Sequence, residues 1–439
     1  MNPDIAQVIY RVAALLRHEK TFRYRTLYEA TQWHSLAQAR RDQEGEIANL
    51  LKFLPTSIPY YADQNISAFQ NLPIISKSML KANARLFRAS SIPKPITSKT
   101  TGGSTGQPIT IYKDAEAMAR EQAATMRGYS WTGLVPGDRQ YRMWGVPIKQ
   151  VALTKERIRD LLLNRRRFSA FNYTESDFKK LLIDFCRFRP AYIYGYVSII
   201  RDFANFITAT NSSCFPSWLK CVITTSEILT NIDREKIEAA FGVRVFNEYG
   251  CGEVGTIAHE CEVGNMHVNA ENLIVEVLDE EGHATNHDGR LVLTELHNRA
   301  QPLVRYDVGD YGAIDQNDCS CGRQLPVLLN IHGRAYDVVL GPENRKYHPE
   351  FFIYIMEELN RDRDALDQFQ VIQENQTLTV RLVRGTGFGD DVQPHIRKRL
   401  EGEFDGHFQI VFQETDKIER EASGKLRVVK RIQPKHLPG

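Results

Sequence analysis

The chain has 439 residues, of which 42% are hydrophobic and 25% are charged, and its formal net charge is +2. This near-neutral charge excludes an electrostatic argument for nucleic-acid or membrane binding, and the length indicates two or three domains. No apolar run reaches the roughly 18 residues that a transmembrane helix needs. Seven cysteines, in a chain without an export-signal pattern, favour a reduced, cytoplasmic setting.

The predicted elements begin with a helical N-terminal extension, residues 1–63, in which apolar residues recur at helical spacing. Beyond residue 112, helical and strand patterns alternate, which is typical of a parallel α/β sheet. The predicted helices are 115–130, 175–188 and 231–240, and the predicted strands are 140–146, 191–194, 221–225 and 243–247.

After residue 261 the pattern changes to alternating strands, at 273–278 and 290–296, joined by short polar turns. This predicts an antiparallel, barrel-like region. The last hundred residues predict three strands and two helices, enough for a small α+β domain. We therefore predict an α/β fold with a large domain, residues 1–334, that holds parallel α/β sheets and the barrel-like region. A small, mobile C-terminal domain, residues 335–439, follows it.

A run of glycine and hydroxyl residues at 100–108 is the most informative segment. Glycine lets the backbone approach a ligand closely, and successive N–H groups with Ser and Thr hydroxyls surround phosphate oxygens well. The alternating residues 109–112 predict a strand after the run, and the prolines before it predict a loop. An ordinary glycine-rich turn has the same composition, so downstream segments must decide. The candidate phosphate-binding residues are Thr101, Gly102, Gly103, Ser104, Thr105 and Gly106.

Two downstream segments supply groups that a bound nucleotide would need. Residues 247–253 follow a predicted strand, and ligands of open α/β sheets lie at the carboxyl ends of strands. Tyr249 offers a flat face for adenine, and Glu253 offers a carboxylate for a Mg²⁺ ion that bridges phosphates. Asp310 follows Gly309, and its carboxylate can accept hydrogen bonds from two ribose hydroxyls. The alternatives are that Tyr249 packs in the core and that Asp310 caps a turn.

Two further segments lie between the predicted domains and near the C-terminus. The polar run 333–337 lies between the two predicted domains, where a hinge is expected. Lys425 follows a glycine, and a lysine on a mobile loop brings positive charge to phosphate or carboxylate oxygens. Taken alone, Lys425 also fits an ordinary surface lysine. The order of all five features makes coincidence a poor explanation.

This order resembles the adenylate-forming enzymes, the superfamily of acyl-CoA synthetases, peptide-synthetase adenylation domains and firefly luciferase. More narrowly it is similar to the phenylacetate–CoA ligase branch with its CapK-like proteins, from about Ile74 to the C-terminus. The resemblance implies catalytic roles for Lys425 and Glu253 and a hinge at Asp337. It implies that the glycine run binds the nucleotide together with Glu248, Tyr249, Asp310 and Arg334. Residues 225–227 match the branch loosely, and the candidate pocket residues are Tyr196, Ser226 and Glu227. Core packing is the alternative for Tyr196.

The implied reaction has two steps. A carboxylate attacks the α-phosphate of ATP to give an acyl-adenylate and pyrophosphate, with Mg²⁺ held partly by Glu253. The acyl group then passes to an acceptor, which in this branch is the thiol of coenzyme A. The expected partners are thus a small carboxylic acid and an acyl acceptor, without nucleic acid or membrane. The alternatives are an amine or amino sugar, a carrier-protein thiol, or a non-enzymatic nucleotide-binding protein. A P-loop phosphotransferase is disfavoured because no Gly-x-x-x-x-Gly-Lys-Ser/Thr run occurs.

Five soft metal ligands form a second constellation. Two close pairs, one on each of two polar loops, are typical of a structural zinc site, and some members of the branch carry zinc in this region. The predicted ligands are His259, Cys261, Cys319 and Cys321, with Cys251 in reserve. The alternative is a set of scattered cysteines with no metal.

Overall fold

The structure is a computed structural model. It describes residues 3–16, 19–64, 66, 68–92, 94–101, 109–145, 157–170, 172–212, 218–227, 229, 231–279, 281–315, 318–332, 339–342, 345–347, 349–360, 363, 365–419 and 428–432.

The helices fall where apolar periodicity predicts them, including the N-terminal segment. They are α1 (Pro3–Leu16), α2 (Thr21–Thr31), α3 (Leu36–Ser57), α4 (Lys77–Ala82), α5 (Ala115–Ser130), α6 (Glu175–Phe188), α7 (Val197–Ala209), α8 (Asn231–Phe241), α9 (Pro349–Asn360) and α10 (Val392–Phe404). Asp114 begins α5, since its carboxylate accepts the backbone N–H of Ala117 at 2.8 Å. Across the described ranges, a helix with the length and apolar character to cross a bilayer does not occur.

The strands outnumber the helices and build the sheets that position the site. They are β1 (Ile96–Thr101), β2 (Ile109–Asp114), β3 (Gln140–Trp144), β4 (Arg165–Ser169), β5 (Asn172–Tyr173), β6 (Tyr192–Tyr196), β7 (Cys221–Thr225), β8 (Val245–Cys251), β9 (Gly255–Glu260), β10 (Met266–Val268), β11 (Leu273–Leu278), β12 (Gly289–Glu295), β13 (Tyr306–Asp315), β14 (Val327–His332), β15 (Val339–Leu340), β16 (Lys346–Tyr347), β17 (Leu366–Glu374), β18 (Thr377–Arg384), β19 (Gln409–Glu414) and β20 (Val429–Ile432).

One large mixed sheet dominates the chain, and its strand order is β11-β12-β13-β14-β10-β9-β8-β7-β6-β3-β4. Strands β3, β4, β6, β7 and β8 pair in parallel, and the remaining neighbours pair antiparallel. The mixed α/β fold is therefore confirmed. It differs from the expectation in one respect, because β8 pairs with β7 on one edge and with β9 on the other. The antiparallel strands thus continue the parallel sheet instead of closing a separate barrel.

The hairpin of β1 and β2 corrects the predicted loop before the glycine run. Ile96 pairs with Asp114 and Thr101 pairs with Ile109, so residues 96–101 form a strand. The strand escaped prediction because it is polar, yet threonine favours the extended backbone through its branched Cβ. The run 102–108 therefore connects two strands of one hairpin.

The C-terminal region has a four-stranded sheet in the order β19-β18-β17-β20, with α9 and α10 packed on it. The small α+β unit was predicted with three strands, and the structure adds β20, parallel to β17. This strand was missed because its two central residues are Lys430 and Arg431. The predicted boundary at residue 334 lies outside the described residues and stays a prediction. Strand β16 pairs with β5, which joins this region to the larger one.

Candidate functional site

The two residues predicted to hold the adenosine are in direct contact. Tyr249 lies near the end of β8, and its hydroxyl donates to Asp310 Oδ2 on β13 at 3.0 Å. Gly250 allows β8 and β9 to approach closely beside this contact, because a Cβ there would lie 2.6 Å from the carbonyl oxygen of Gly255. An aromatic face and a carboxylate therefore meet, although β14, β10 and β9 lie between β13 and β8 in the order of the sheet.

Glu253, four residues after Tyr249 along the chain, is buried and forms an ion pair that the sequence did not predict. Lys77, the first residue of α4, lies with its Nζ 2.7 Å from Glu253 Oε1, and both side chains are largely buried. The lysine reaches this position because Ile75 joins β13. The Ile75 N–H donates to the carbonyl of Arg305 at 2.8 Å, and the Asp307 N–H donates to the carbonyl of Ile75 at 3.0 Å. Nothing in the sequence near Lys77 signals this contact across 176 positions.

Arg305 explains why the segment before Lys77 is held in place. Its guanidinium donates to the carbonyl oxygens of Gln70 and Leu72 at 2.8 and 2.7 Å. It also pairs with Glu276 at 3.1 Å. Arg305 is buried and has a left-handed backbone, with φ at 47°. Arg305, five residues before Asp310, thus anchors the chain that carries Lys77.

The hairpin that flanks the glycine run stands on a buried charge network. Lys113 Nζ lies 2.9 Å from carboxylate oxygens of both Glu121 and Glu295, and Lys99 Nζ lies 2.7 Å from Glu121. Burial acts to raise the pKa of Glu121, but the two lysines outweigh it and lower that pKa to about 2. Both strands of the hairpin are therefore tied to α5 by charged groups.

Glu248 does not join the Tyr249–Asp310 pair. It is consecutive with Tyr249 on β8, so the two side chains point to opposite faces of the sheet. Its buried carboxylate accepts hydrogen bonds from the hydroxyls of Tyr194 at 2.9 Å and Tyr129 at 3.2 Å. Burial raises the pKa of Glu248 despite these donors. Its predicted contact with nucleotide stays a prediction.

The residues predicted for the acid pocket lie at the ends of β6 and β7. Ser226 takes the left-handed backbone conformation, with φ at 68°, as β7 turns. The carboxylate of Glu227 accepts from the backbone N–H of Ser198 at 2.6 Å and from its hydroxyl at 2.9 Å, in the first turn of α7. Tyr196 is fully buried, with its ring 4.3 Å from that of Trp144. Core packing, the alternative weighed for Tyr196, describes this position.

Three cysteines and a histidine converge at the other end of the antiparallel strands. The potential ligand atoms of Cys261, His267, Cys319 and Cys321 all lie within 4.8 Å of one another. Cys261 Sγ lies 3.9 Å from Cys319 Sγ, and Cys321 Sγ lies 3.3 Å from His267 Nε2. Thiolates about 2.3 Å from a tetrahedral zinc stand about 3.8 Å apart. The donor set and its spacing therefore fit zinc.

Hydrogen bonds around the cluster favour the same conclusion. His267 Nδ1 lies 3.0 Å from the carbonyl oxygen of Leu325. A proton on Nδ1 would leave Nε2 as the lone pair that faces Cys321, which is how ligating histidines are oriented. Asn265 Nδ2 donates to Cys319 Sγ at 3.1 Å. Such donors stabilise a thiolate.

His259, predicted as the fourth ligand, is corrected to His267. The two histidines are direct partners on β9 and β10, but β10 lies between β9 and β14. His267 is therefore one strand closer to the loop that carries Cys319. The ring of His259 packs instead on Gly128, where an added Cβ would meet it at 2.3 Å. Burial, and then the charge of Arg127, lowers the pKa of His259 to about 3.

The remaining cysteines that the structure describes do not extend the cluster. Cys251 packs, with Tyr249, against the core and is not among the ligand atoms that lie within 4.8 Å of one another. Cys186 is disulfide-bonded, which the expectation of a fully reduced chain did not include. Several predicted site residues lie outside the described residues and stay predictions: Gly102, Gly103, Ser104, Thr105, Gly106, Arg334, Asp337 and Lys425. Of Thr101 the structure gives only the backbone, at the end of β1.

Comparison with known proteins agrees with the motifs. Residues 339–432 match the family model described as the CapK C-terminal domain. Protein CapK of Staphylococcus aureus is 26% identical over 255 residues, which are 56% of this chain and 54% of CapK. The phenylacetate-coenzyme A ligase of Thermus thermophilus is 28% identical over 160 residues, 35% of this chain and 36% of that enzyme. The resemblance to adenylate-forming enzymes of this branch is confirmed.

The chain aligns with only about half of the length of CapK and about a third of that of the Thermus ligase. Solved structures extend the likeness in fold. The 2-hydroxyisobutyryl-CoA ligase in complex with 2-HIB-AMP and CoA has a TM-score of 0.58 at 16% identity, with 90% of each chain covered. The same ligase in its postadenylation state has a TM-score of 0.56 at 17% identity. At these identities the likeness shows the fold alone.

Proposed function

We propose, from the resemblance of this chain to CapK-like and phenylacetate–CoA ligase proteins, that it is an ATP-dependent, AMP-forming ligase. It activates a carboxylic acid as an acyl-adenylate with release of pyrophosphate, and it transfers the acyl group to the thiol of coenzyme A. The observation that carries the proposal is the Tyr249–Asp310 contact, because it joins an aromatic face to a carboxylate that could accept ribose hydroxyls.

The binding part of the reaction follows from these groups. The Tyr249 ring would lie on adenine, Asp310 would accept the ribose hydroxyls, and the glycine run would surround the phosphates from the β1–β2 hairpin. Glu253 fits a Mg²⁺ ligand, since this ion binds one or two carboxylates together with substrate phosphates. When bound, the ion would neutralise charge on the departing pyrophosphate.

The chemical step needs positive charge where two anions meet, the acid and the α-phosphate. Lys425 would supply it from the C-terminal region, and a rotation about Asp337 would then remove the lysine and admit the acceptor. Lys77 would hold the Glu253 carboxylate in position while no metal is bound. Titration of adenylated enzyme with coenzyme A, an amino sugar or a carrier protein would identify the acceptor, and the thioester is the expected product.

Acid-dependent exchange of labelled pyrophosphate into ATP tests this function. We expect exchange with at least one acid from a panel of aryl, acyl and amino acids. Asp310→Asn should raise the KM for ATP, whereas Asp390→Asn, at an exposed position before α10, should not. An absence of exchange with every acid, together with no measurable ATP binding, would contradict the proposal.

For the cysteine cluster we propose one structural zinc ion, held by Cys261, His267, Cys319 and Cys321. The ion would join the turn after β9 to the loop before β14, and a set of four protein ligands leaves no open position for catalysis. Metal analysis of the purified protein should find one zinc per chain. Metal-free protein whose four ligand positions are freely alkylated or titrated in the folded state would overturn this.

A further inference from the structure

Arg142 is a charged side chain that the proposed reaction does not yet use. It lies on β3, and its Cζ is 4.8 Å from the ring centroid of Trp144 and 4.7 Å from that of Tyr194. Its Nε is buried without a hydrogen-bond partner, and in the part of the chain that the structure describes its guanidinium forms no ion pair. A partly buried guanidinium in this state is suited to an anion.

The position of Arg142 relative to the reaction centre follows from the strand register. Arg142 is paired with Tyr194 of β6, two residues before β3 ends at Trp144. Two residues of a strand span about 7 Å. The guanidinium therefore lies about two residues before the carboxyl end of β3, on the face of the sheet that also carries Glu248.

The nucleotide and the acid would occupy opposite faces of the sheet near the carboxyl ends of these strands. Tyr249 and Asp310 mark the nucleotide side, and the neighbouring Glu248 points to the opposite face. An acid that reaches the α-phosphate at the edge would extend along that opposite face, because the sheet separates the two. Its far end would then lie beside Arg142.

The charges on this face decide which far end is suitable. Glu248 already accepts two tyrosine hydroxyls, and the charge of Arg142 acts to lower its pKa against the effect of burial, so this carboxylate is part of the surroundings of Arg142. On the neighbouring strand, Arg165 and Arg167 both pair with Asp160, and Arg167 is in register with Arg142. Among these residues three arginines, at 142, 165 and 167, therefore face two carboxylates, Asp160 and Glu248, and the remaining positive charge favours an anion.

We propose that Arg142 binds a second anionic group of the substrate, so that the acid this chain activates is a dicarboxylic acid or an acid with another anionic tail. The inference rests on the function proposed above. It makes Arg142 a specificity-determining residue, whereas the reacting carboxylate is handled at the edge of the sheet.

Matched acids test the inference. Pyrophosphate exchange is measured with terephthalate against 4-methylbenzoate and with adipate against hexanoate, pairs that differ in the charge of the far end. For the wild type we expect a kcat/KM at least about tenfold higher with the dianion of one pair, the size of one charged hydrogen bond. Arg142→Met should remove this preference and leave the neutral acids unchanged, and Arg142→Lys should retain part of it.

Arg166→Met is the matched control, because Arg166 lies between Arg165 and Arg167, is exposed and pairs with Asp184 on the other side of the strand. It should leave the preference intact. The inference is overturned if only neutral acids are activated, or if Arg142→Met slows both members of a pair equally, as a purely structural arginine would. Exchange only with other acids that lack a second anionic group would also overturn it, whereas no exchange with any acid and no ATP binding would refute the proposed function itself.

Discussion

Two groups of candidate site residues lie on or beside the mixed sheet: the nucleotide group, with Tyr249, Glu253 and Asp310, and the cysteine cluster, with Cys261, His267, Cys319 and Cys321. The two groups differ in how far the sequence predicts their members. Tyr249 lies near the end of β8 and Asp310 lies in the middle of β13. Each belongs to a segment that the sequence predicted to bind the nucleotide, and the two side chains are in contact. Cys261, at the turn after β9, and Cys319 and Cys321, in the loop before β14, indicate a metal site, but the choice between two histidines depends on strand order. Motif spacing identifies chemistry within one segment, whereas topology decides which segments meet.

The contrast extends to the ionic groups. Glu253 was predicted as a metal ligand from its motif, yet its partner Lys77 comes from a segment with no motif at all. In the cysteine cluster the four members come from two short stretches, 261–267 and 319–321. Spacing within short segments therefore predicts most members of the cysteine cluster, whereas it predicts only one of the two members of the ion pair.

The largest expected effect is at Lys425, the proposed charge donor of the nucleotide group. Lys425→Ala should lower acid-dependent pyrophosphate exchange by roughly a thousandfold, because it removes the positive charge between two anions, and ATP binding should persist. Lys430→Ala, an exposed lysine of β20, is the control and should keep full exchange. Unchanged exchange in Lys425→Ala would show that this chain does not use Lys425 as the proposed mechanism requires.

The two histidines give the sharpest test of the cysteine cluster. His267→Ala should lose the proposed zinc during dialysis against a mild chelator, because it removes one of four ligands, and the melting temperature should fall with it. His259→Ala should keep the zinc, since its ring packs on Gly128 outside the cluster. Zinc retained in His267→Ala and lost in His259→Ala would restore the assignment made from spacing.

The sequence predicted most of the fold because its helices and strands are strongly periodic. Strand β7 and helices α5 and α6 begin and end where the pattern places them. Two polar strands were missed. Strand β1 consists mostly of threonine, serine and lysine and lacks an alternating apolar pattern, and β20 has two basic residues at its centre. Lys77 and His267 were missed for another reason. Their roles arise from pairing between segments, which a pattern within one segment does not record.

An intermediate effect is expected at Lys77, which links the N-terminal segment to the nucleotide group. Lys77→Met should destabilise the protein by about 3 kcal/mol, because it leaves the Glu253 carboxylate buried without its partner. Urea unfolding measures this loss. The double variant with Glu253→Gln should recover much of the stability, since no buried charge then remains. Equal losses in the single and double variants would show that the ion pair is not the cause.

The smallest expected effect concerns the contact that defines the nucleotide group. Tyr249→Phe removes the hydroxyl that donates to Asp310 and keeps the aromatic face. A single such hydrogen bond contributes about 1 kcal/mol, so the KM for ATP should rise about fivefold with kcat unchanged. Tyr249→Ala also removes the face and should cost more. If Phe and Ala weaken ATP binding equally, the ring does not stack on adenine, and the hydroxyl alone links β8 to the nucleotide. If neither changes the KM, this edge of the sheet does not bind ATP, and the cysteine cluster would be the better-supported site of the two.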